Sequence, residues 1–258
     1  MKITKIEKKK RLYLVEIDST ETLYVTEDTI VRFMMTKGMT LTSESLNAIK
    51  EFAQFSYGKN MALYHLSFKK RTEKEVKNYL IQHEIDDKII PKVIKNLKDD
   101  KWIDDKSYTQ QIIDTNLVSG DKGAYLLKQK LTQKGIPQTI LDPLFEEVDF
   151  TPLAEKIAQK LYRKYQQKLP QKALTDKILQ FLLNKGFSYP ESKAALSSLD
   201  ITKDEEQESE LILKELEKQH RRLSKKYDGY ELKQRLIQAL ARKGYQFDDI
   251  YSALRDFL

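Results

Sequence analysis

The hexapeptide LTQKGI at residues 131–136 returns as LLNKGF at 182–187 and LARKGY at 240–245, with a degraded copy, LIQHEI, at 80–85. Measured at the glycine position, the copies fall at Glu84, Gly135, Gly186 and Gly244, in steps of 51, 51 and 58 residues. A self-similarity held at such a period constrains the fold more than any composition can, because it makes one supersecondary unit the building block of most of the chain. The register extends beyond the hexapeptide. Eight residues before the mark stand Val76, Leu127, Ile178 and Leu236, and four before it Leu80, Leu131, Leu182 and Leu240. One residue after it come Ile85, Ile136, Phe187 and Tyr245, and thirteen after it Leu97, Val148, Leu199 and Phe257. The upstream spacing of four puts those side chains on one helix face. The glycine then supplies the left-handed conformation that ends the helix, and the lysine before it suits the carbonyl end of the dipole. Glu84 lacks that freedom, so the first copy is expected to end under strain or differently.

A further helical stretch precedes each marked helix. Thr72-x-x-Glu75 reads as a capping box, Thr151-Pro152 as a cap with proline in the first turn, and Thr202-x-x-Glu205 as another capping box. Pro91 and Pro143 fall early in the third helices and blur those boundaries. Each copy is thus helix–helix–glycine–helix, about 50 residues long. A unit so small buries little surface alone and must pack against its neighbours. The expected fold is mainly α: tandem three-helix repeats in an elongated curved array, with a small β-containing N-terminal extension. KITKIEK, RLYLVEID and TLYVTED read as strands. Thr26 caps a short helix that Gly38 ends, and a second helix starts near Thr42. The expected divisions are 1–56 for the extension and 57–103, 104–150, 151–200 and 201–258 for repeats one to four.

The chain offers little to a catalytic reading. It holds three histidines and no cysteine, which disfavours metal and nucleophile sites. His83-Glu84 lacks the second histidine of a zinc-protease helix, SGDKGAY is not a phosphate-binding loop, and no dinucleotide fingerprint appears. The acidic run DDKWIDD (99–105) is read as structure: Asp104 or Asp105 caps the next helix, and Trp102 with Ile103 anchors the repeat junction. No enzyme activity, cofactor or metal is expected. No apolar run is long enough to span a bilayer, and the N-terminus breaks its apolar residues with charges, so neither a membrane nor a signal peptide is expected and the protein is placed in the cytoplasm.

Charge is more informative. The net charge is +7, of which residues 151–258 contribute +5, so an anionic partner is expected at the C-terminal end. QKLYRKYQQK (159–168) sets Lys160, Arg163, Lys164 and Lys168 at helical spacings with two tyrosines among them. KQHRRLSKKY (218–227) does nearly the same with Arg221, Arg222, Lys225 and Lys226, and Lys69, Lys70 and Arg71 form a smaller cluster. Lys164 and Arg222 both lie 22 residues before their glycine. Such faces suit phosphate contact with aromatic stacking, or are solvated helix surfaces whose tyrosines pack inward.

Trp102, Ile103, Asp104, Asp105 and Tyr108, then Gly123 and Leu131, Lys134, Gly135 and Ile136, together with Arg71, Thr72, Glu75 and Val76, resemble the signature of the RecX family, regulators of the recombinase RecA. The likeness covers roughly residues 60–200. It implies three-helix repeats that lie in the groove of the RecA–DNA filament and restrain its ATPase and strand exchange. The implied partners are RecA and its filament on single-stranded DNA, with direct DNA binding as the alternative, and a monomer is expected. The chain departs from the pattern in carrying a fourth repeat and a sizeable N-terminal extension. DTNLVSGDK, before Gly123, also lacks the arginines often found there, which shifts the anionic contact toward the C-terminal repeats.

Overall fold

The computed structural model describes residues 1–201 and 204–257. Three strands open the chain: β1 (Ile3–Lys8), β2 (Tyr13–Ile17) and β3 (Glu21–Val25), forming an antiparallel sheet in the order β1-β2-β3. Thirteen helices follow among the described residues: α1 (Glu27–Arg32), α2 (Ser43–Phe68), α3 (Glu73–Gln82), α4 (Ile90–Asp99), α5 (Asp105–Ser119), α6 (Ala124–Gln133), α7 (Gln138–Glu146), α8 (Thr151–Tyr165), α9 (Gln171–Asn184), α10 (Tyr189–Ser197), α11 (Glu205–Leu223), α12 (Gly229–Arg242) and α13 (Phe247–Phe257). The protein is mainly α, built of tandem three-helix repeats behind a small β extension. It divides into two compact units, residues 1–112 with 131–144, and residues 113–130 with 145–258.

The repeated hexapeptide is a Schellman turn. All four marks have positive φ: +59° at Glu84, +92° at Gly135, +84° at Gly186 and +93° at Gly244. At each, the N–H of the next apolar residue reaches back to the repeat leucine: Ile85 to Leu80 O at 3.2 Å, Ile136 to Leu131 O at 3.1 Å, Phe187 to Leu182 O at 3.2 Å and Tyr245 to Leu240 O at 3.4 Å. The mark's own N–H bonds Ile81 O, Thr132 O, Leu183 O and Ala241 O respectively, at 2.9–3.0 Å. Both orphan carbonyl bonds of the motif are therefore made four times over. Glu84 closes the same turn as the glycines, so the first copy ends no differently. The leucines and their apolar partners are buried in every copy, and each such side chain stabilises by about 1.5–3 kcal/mol. Tyr245 is the polar exception; burial, then Glu215 and Glu208, push its phenol up to about 12. The thirteenth position is less uniform. Leu97 and Leu199 are buried, while Val148, beyond the end of α7, and Phe257 are half-buried.

In the first unit the inner face of the sheet (Ile3, Val15, Ile17, Val25) packs with Leu41, Leu46, Ile49 and Ala53. A second core joins the C-terminal half of α2 to α3 and α4 through Ala62, Leu66, Val76, Leu80, Val93 and Leu97. The division expected at 56/57 falls inside α2, which runs unbroken. Ser56 is buried against the Thr26 hydroxyl at 2.6 Å, and Gly58 leaves room for Ile85 and Val93, 3.3 and 3.4 Å from where a Cβ would stand. The extension and the first repeat thus share a helix.

Several local expectations are corrected. α1 ends at Arg32, and the left-handed residue behind it is Met34, φ +45°; Gly38 instead donates its N–H to Ile3 O beside the sheet. Thr151 is the first helical residue of α8, with Phe150 as the cap and Asp149 accepting from the Thr151 N–H at 2.8 Å. Pro143 lies inside α7. Thr202 lies outside the described residues; Asp204 caps α11 by accepting from the Gln207 N–H. The capping box of Thr72 and Glu75 forms as expected.

The glycines also allow close approach to the preceding repeat. A Cβ on Gly135 would stand 2.5 Å from Lys74 Cβ, on Gly186 2.7 Å from the Leu126 backbone nitrogen, and on Gly244 2.8 Å from Ala173 Cβ. These neighbours lie in the first turns of α3, α6 and α9. Gly123 answers from the other side, where a Cβ would lie 2.3 Å from the Gly186 carbonyl. Gly123→Ala should therefore destabilise by about 1–3 kcal/mol through overpacking alone. Gly186→Ala should cost more, since a left-handed backbone adds about 1–2 kcal/mol. Gly229→Ala meets nothing within 4 Å but keeps a left-handed backbone, φ +48°, so it should carry that cost alone, about 1–2 kcal/mol, and less than Gly186→Ala. Denaturant midpoints of the three variants check the order.

A candidate polyanion-binding surface

The repeat contact that the glycines permit carries charge as well as shape. The Thr72 hydroxyl donates to Lys134 O at 2.8 Å, and the N–H groups of Gly123 and Tyr125 donate to Lys185 O and Gly186 O at 2.8 and 3.1 Å. Carbonyls at the end of one middle helix thus meet donors at the start of the middle helix before it, a hydroxyl at the first contact and backbone N–H groups at the second, where both sets of orphan groups are satisfied. The lysine of each KG pair adds an ion pair. Lys134 meets Glu75 at 2.7 Å and Lys185 meets Asp121, whereas Lys243 reaches Glu215 of its own repeat at 3.8 Å. These lysines sit at the dipole end, as their position suggested, but their partners were not legible.

The remaining basic residues are not consumed in this way. Lys160, Arg163, Lys164 and Lys168 are all exposed, as are Arg221 and Arg222 in the last turn of α11 and Lys225 and Lys226 just beyond it. No carboxylate among the described residues lies within ion-pair distance of any of the eight. In the second unit, Lys160 and Lys164 join Lys156, one turn earlier on α8, and Lys177 of α9 along a groove of about 850 Å³. Tyr165, Phe181, Ile157 and Leu161 form its apolar part, and Ser119, Gly120 and Asp121 also line it. Lys177 and Lys164 stand 4.7 and 5.1 Å from the centre of the Tyr165 ring, which holds both ammonium groups by cation–π attraction. Arg163 and Lys168 lie outside that lining. Lys156 and Lys177 belong to it although no basic run of the sequence flagged them; a four-residue spacing from Lys160 could have found Lys156. In repeat four Arg235, nine residues before its glycine as Lys177 is before Gly186, lies 4.7 Å from the Tyr227 ring.

The smaller cluster is less free. Lys69 and Lys70 are exposed, but Arg71 is half-buried, with its Nε inside the protein. It stands close to His65, whose pKa is lowered first by burial and then by the Arg71 charge; the His65 ring stacks on Tyr79 at 3.9 Å. The acidic run behaves largely as read. Asp104 accepts from the Ser107 N–H at 2.9 Å and caps α5, while Asp105 reaches the Glu73 N–H at 2.9 Å. Ile103 is buried, but Trp102 is 55% exposed and does not anchor the junction, because Lys101, φ +63°, turns the chain there. Among the described residues no group of three histidine, aspartate or glutamate side chains could hold a metal ion, and no helix is long and apolar enough to cross a membrane.

This geometry defines a class, a tandem three-helix-repeat protein with cationic outer faces. The family model for the third three-helix domain of RecX matches twice, at 151–196 and 205–254, and that for the first domain matches 59–97. The regulatory protein RecX of Streptococcus sanguinis is 62% identical over the full length of both chains, and that of Streptococcus agalactiae serotype III is 60% identical, again over both full lengths. A crystal structure of a regulatory protein RecX superposes with a TM-score of 0.65 at 27% identity, covering 77% of this chain and all of the other. The Lactobacillus salivarius RecX structure covers 58% of this chain and 98% of its own, with a TM-score of 0.55 at 32% identity. The chain belongs to the RecX family. Its fourth repeat is a second copy of the third-domain type, and the full-length streptococcal matches extend over both that repeat and the N-terminal extension.

The ion pairs between repeats make stability depend on pH. Burial raises the Glu75 pKa, but Lys134, the Thr72 N–H and Arg71 outweigh it and hold the carboxyl below its ordinary 4.5; Lys185 holds Asp121 below its ordinary 3.8. A depressed carboxyl stabilises the fold above its unfolded pKa, and that contribution is lost as pH falls through the folded value. Lys134→Gln should therefore lower stability by about 0.5–1 kcal/mol at neutral pH. The gap from the parent should close below pH 4. Melting temperatures of the two proteins across pH 3–7 check this.

Proposed function

We propose that this chain modulates the RecA recombinase, mainly as a negative regulator, by lying in the groove of the RecA–DNA filament and restraining its ATPase and strand exchange. The observation that carries the reading is the set of exposed cations on and just past the first helices of repeats three and four, free of ion pairs among the described residues, in a chain related end to end to regulatory proteins RecX. In this reading residues 57–103, 104–150, 151–200 and 201–258 act as four repeats, the first joined to the extension 1–56 through the unbroken α2. The protein works as a cytoplasmic monomer without a cofactor. A series of repeats can engage several filament subunits at once, and linked contacts gain avidity from their high effective concentration.

RecA ATPase on single-stranded DNA, titrated with this protein, tests the proposal. Turnover should fall at ratios well below one per RecA monomer, while the chain alone leaves ATP and DNA intact. An unchanged rate at every ratio removes the assignment.

A second reading, direct binding to DNA, is favoured by Tyr165 between Lys164 and Lys177. Changing Lys160, Arg163, Lys164, Lys168, Arg221, Arg222, Lys225 and Lys226 to glutamine should leave the fold nearly intact, since exposed charges each contribute within about 0.5 kcal/mol. Filament binding should fall sharply and its salt dependence flatten, because fewer counterions are released. Binding to filament and to bare single-stranded DNA, measured side by side, separates the readings: a loss confined to the filament favours the groove-bound regulator, and an equal loss on bare DNA favours the direct binder.

A further inference from the structure

We infer that the groove between α8 and α9 is a binding site for a nucleoside triphosphate, with Lys156, Lys160, Lys164 and Lys177 holding the phosphate chain. Three of these lysines follow one another at four-residue intervals on α8, so their stems leave the helix about 6 Å apart along its axis. That row suits several adjacent phosphates rather than one. Lys177 faces it from α9, which places positive charge on both walls. Cation–π contact with Tyr165 holds Lys164 and Lys177 at the groove before any ligand arrives, so less side-chain freedom is lost on binding.

Lys156 donates to Val118 O at 3.1 Å, tying α8 to the segment that ends in Ser119, Gly120 and Asp121. Asp121 is paired with Lys185 and lies 3.5 Å from Lys122, so this segment adds no net negative charge to the groove. The volume of about 850 Å³ lies within the range of ligand clefts. Beside the lysines, Phe181 offers an apolar surface for a base, and Gln180 and Asn184 offer amides. The Gln180 amide donates to Asn184 Oδ1 at 3.0 Å. The groove thus offers cations for a phosphate chain together with an aromatic ring and amides for a base.

Binding is measured on the full-length protein without RecA, so its failure and that of the proposed function are distinguishable. Calorimetric titrations with ATP, sodium tripolyphosphate, adenosine and a 15-residue oligothymidylate, all without Mg²⁺, provide the test. ATP should bind at one site per chain, more tightly than tripolyphosphate, and adenosine should bind at least tenfold more weakly than ATP. Lys160→Gln with Lys177→Gln should weaken ATP at least tenfold, whereas Lys225→Gln with Lys226→Gln in repeat four should change it less than twofold. Circular dichroism and melting of each variant confirm that it is folded. The inference is overturned by absent or non-stoichiometric ATP binding, by equal losses in the two double variants, or by tripolyphosphate binding as tightly as ATP. It is also overturned if oligothymidylate holds the groove against saturating ATP, which would make the groove a nucleic-acid path.

Discussion

The contact on which the rest of this protein depends is the meeting of a helix end with a helix start at the marked glycines. Ending a helix leaves carbonyls without partners, and starting one leaves N–H groups without partners. Between repeats two and three the two deficits cancel, as Lys185 O and Gly186 O accept from the N–H groups of Gly123 and Tyr125; between repeats one and two Lys134 O accepts from the Thr72 hydroxyl. The approach is so close that a Cβ on Gly123 or Gly186 would sit inside the other segment. Without glycine there, the carbonyls and donors would be held apart, and each buried polar group left unmade would cost about 1–3 kcal/mol. Glu84, at the first mark, closes the turn with its backbone in the same left-handed conformation. The motif therefore needs the conformation in every copy, and the glycine itself only where a neighbour presses against it.

This construction decides where charge is available. Lys134 and Lys185 of the second and third copies lie at the repeat contact and take a carboxylate partner there, so they are not open to a ligand. Lys156, Lys160 and Lys164 of α8 form no ion pair among the described residues, and Lys156 donates to Val118 O. Thus two sets of cations that look alike in the sequence have opposite fates: Lys134 and Lys185 hold the fold, while Lys156, Lys160, Lys164 and Lys177 line an open groove. Tyr165 is half-buried beneath two of them, combining the inward-packing and the cation-holding readings of the tyrosines in one residue.

Much of the architecture was legible from periodicity. A leucine at the same place before each mark, an apolar residue after it and a cap before the next helix predict helices, turns and repeat number, because these are local properties of the backbone. The errors were local too. Gly38 looked like the end of α1, but Met34 takes the left-handed conformation first and frees Gly38 to bond the sheet. Trp102 looked like an anchor because it is large and apolar, yet the turn at Lys101 directs it outward while Ile103 fills the core. The division at 56/57 was invisible as a non-boundary, since Ser56 and Gly58 resemble a break until Thr26, Ile85 and Val93 are seen packed against them.

The sequence by itself determined the repeat, the left-handed turns and the excess of positive charge near the C-terminus, because each follows from residue type and spacing along one segment. Only the tertiary structure decided which lysines are paired and which are free, since Glu75 lies 59 residues from Lys134 and Asp121 lies 64 from Lys185. It also decided that Lys177 faces Lys160 and Lys164 across a groove. No spacing rule connects residues on different helices; the packing of α8 on α9 within one repeat sets their distance.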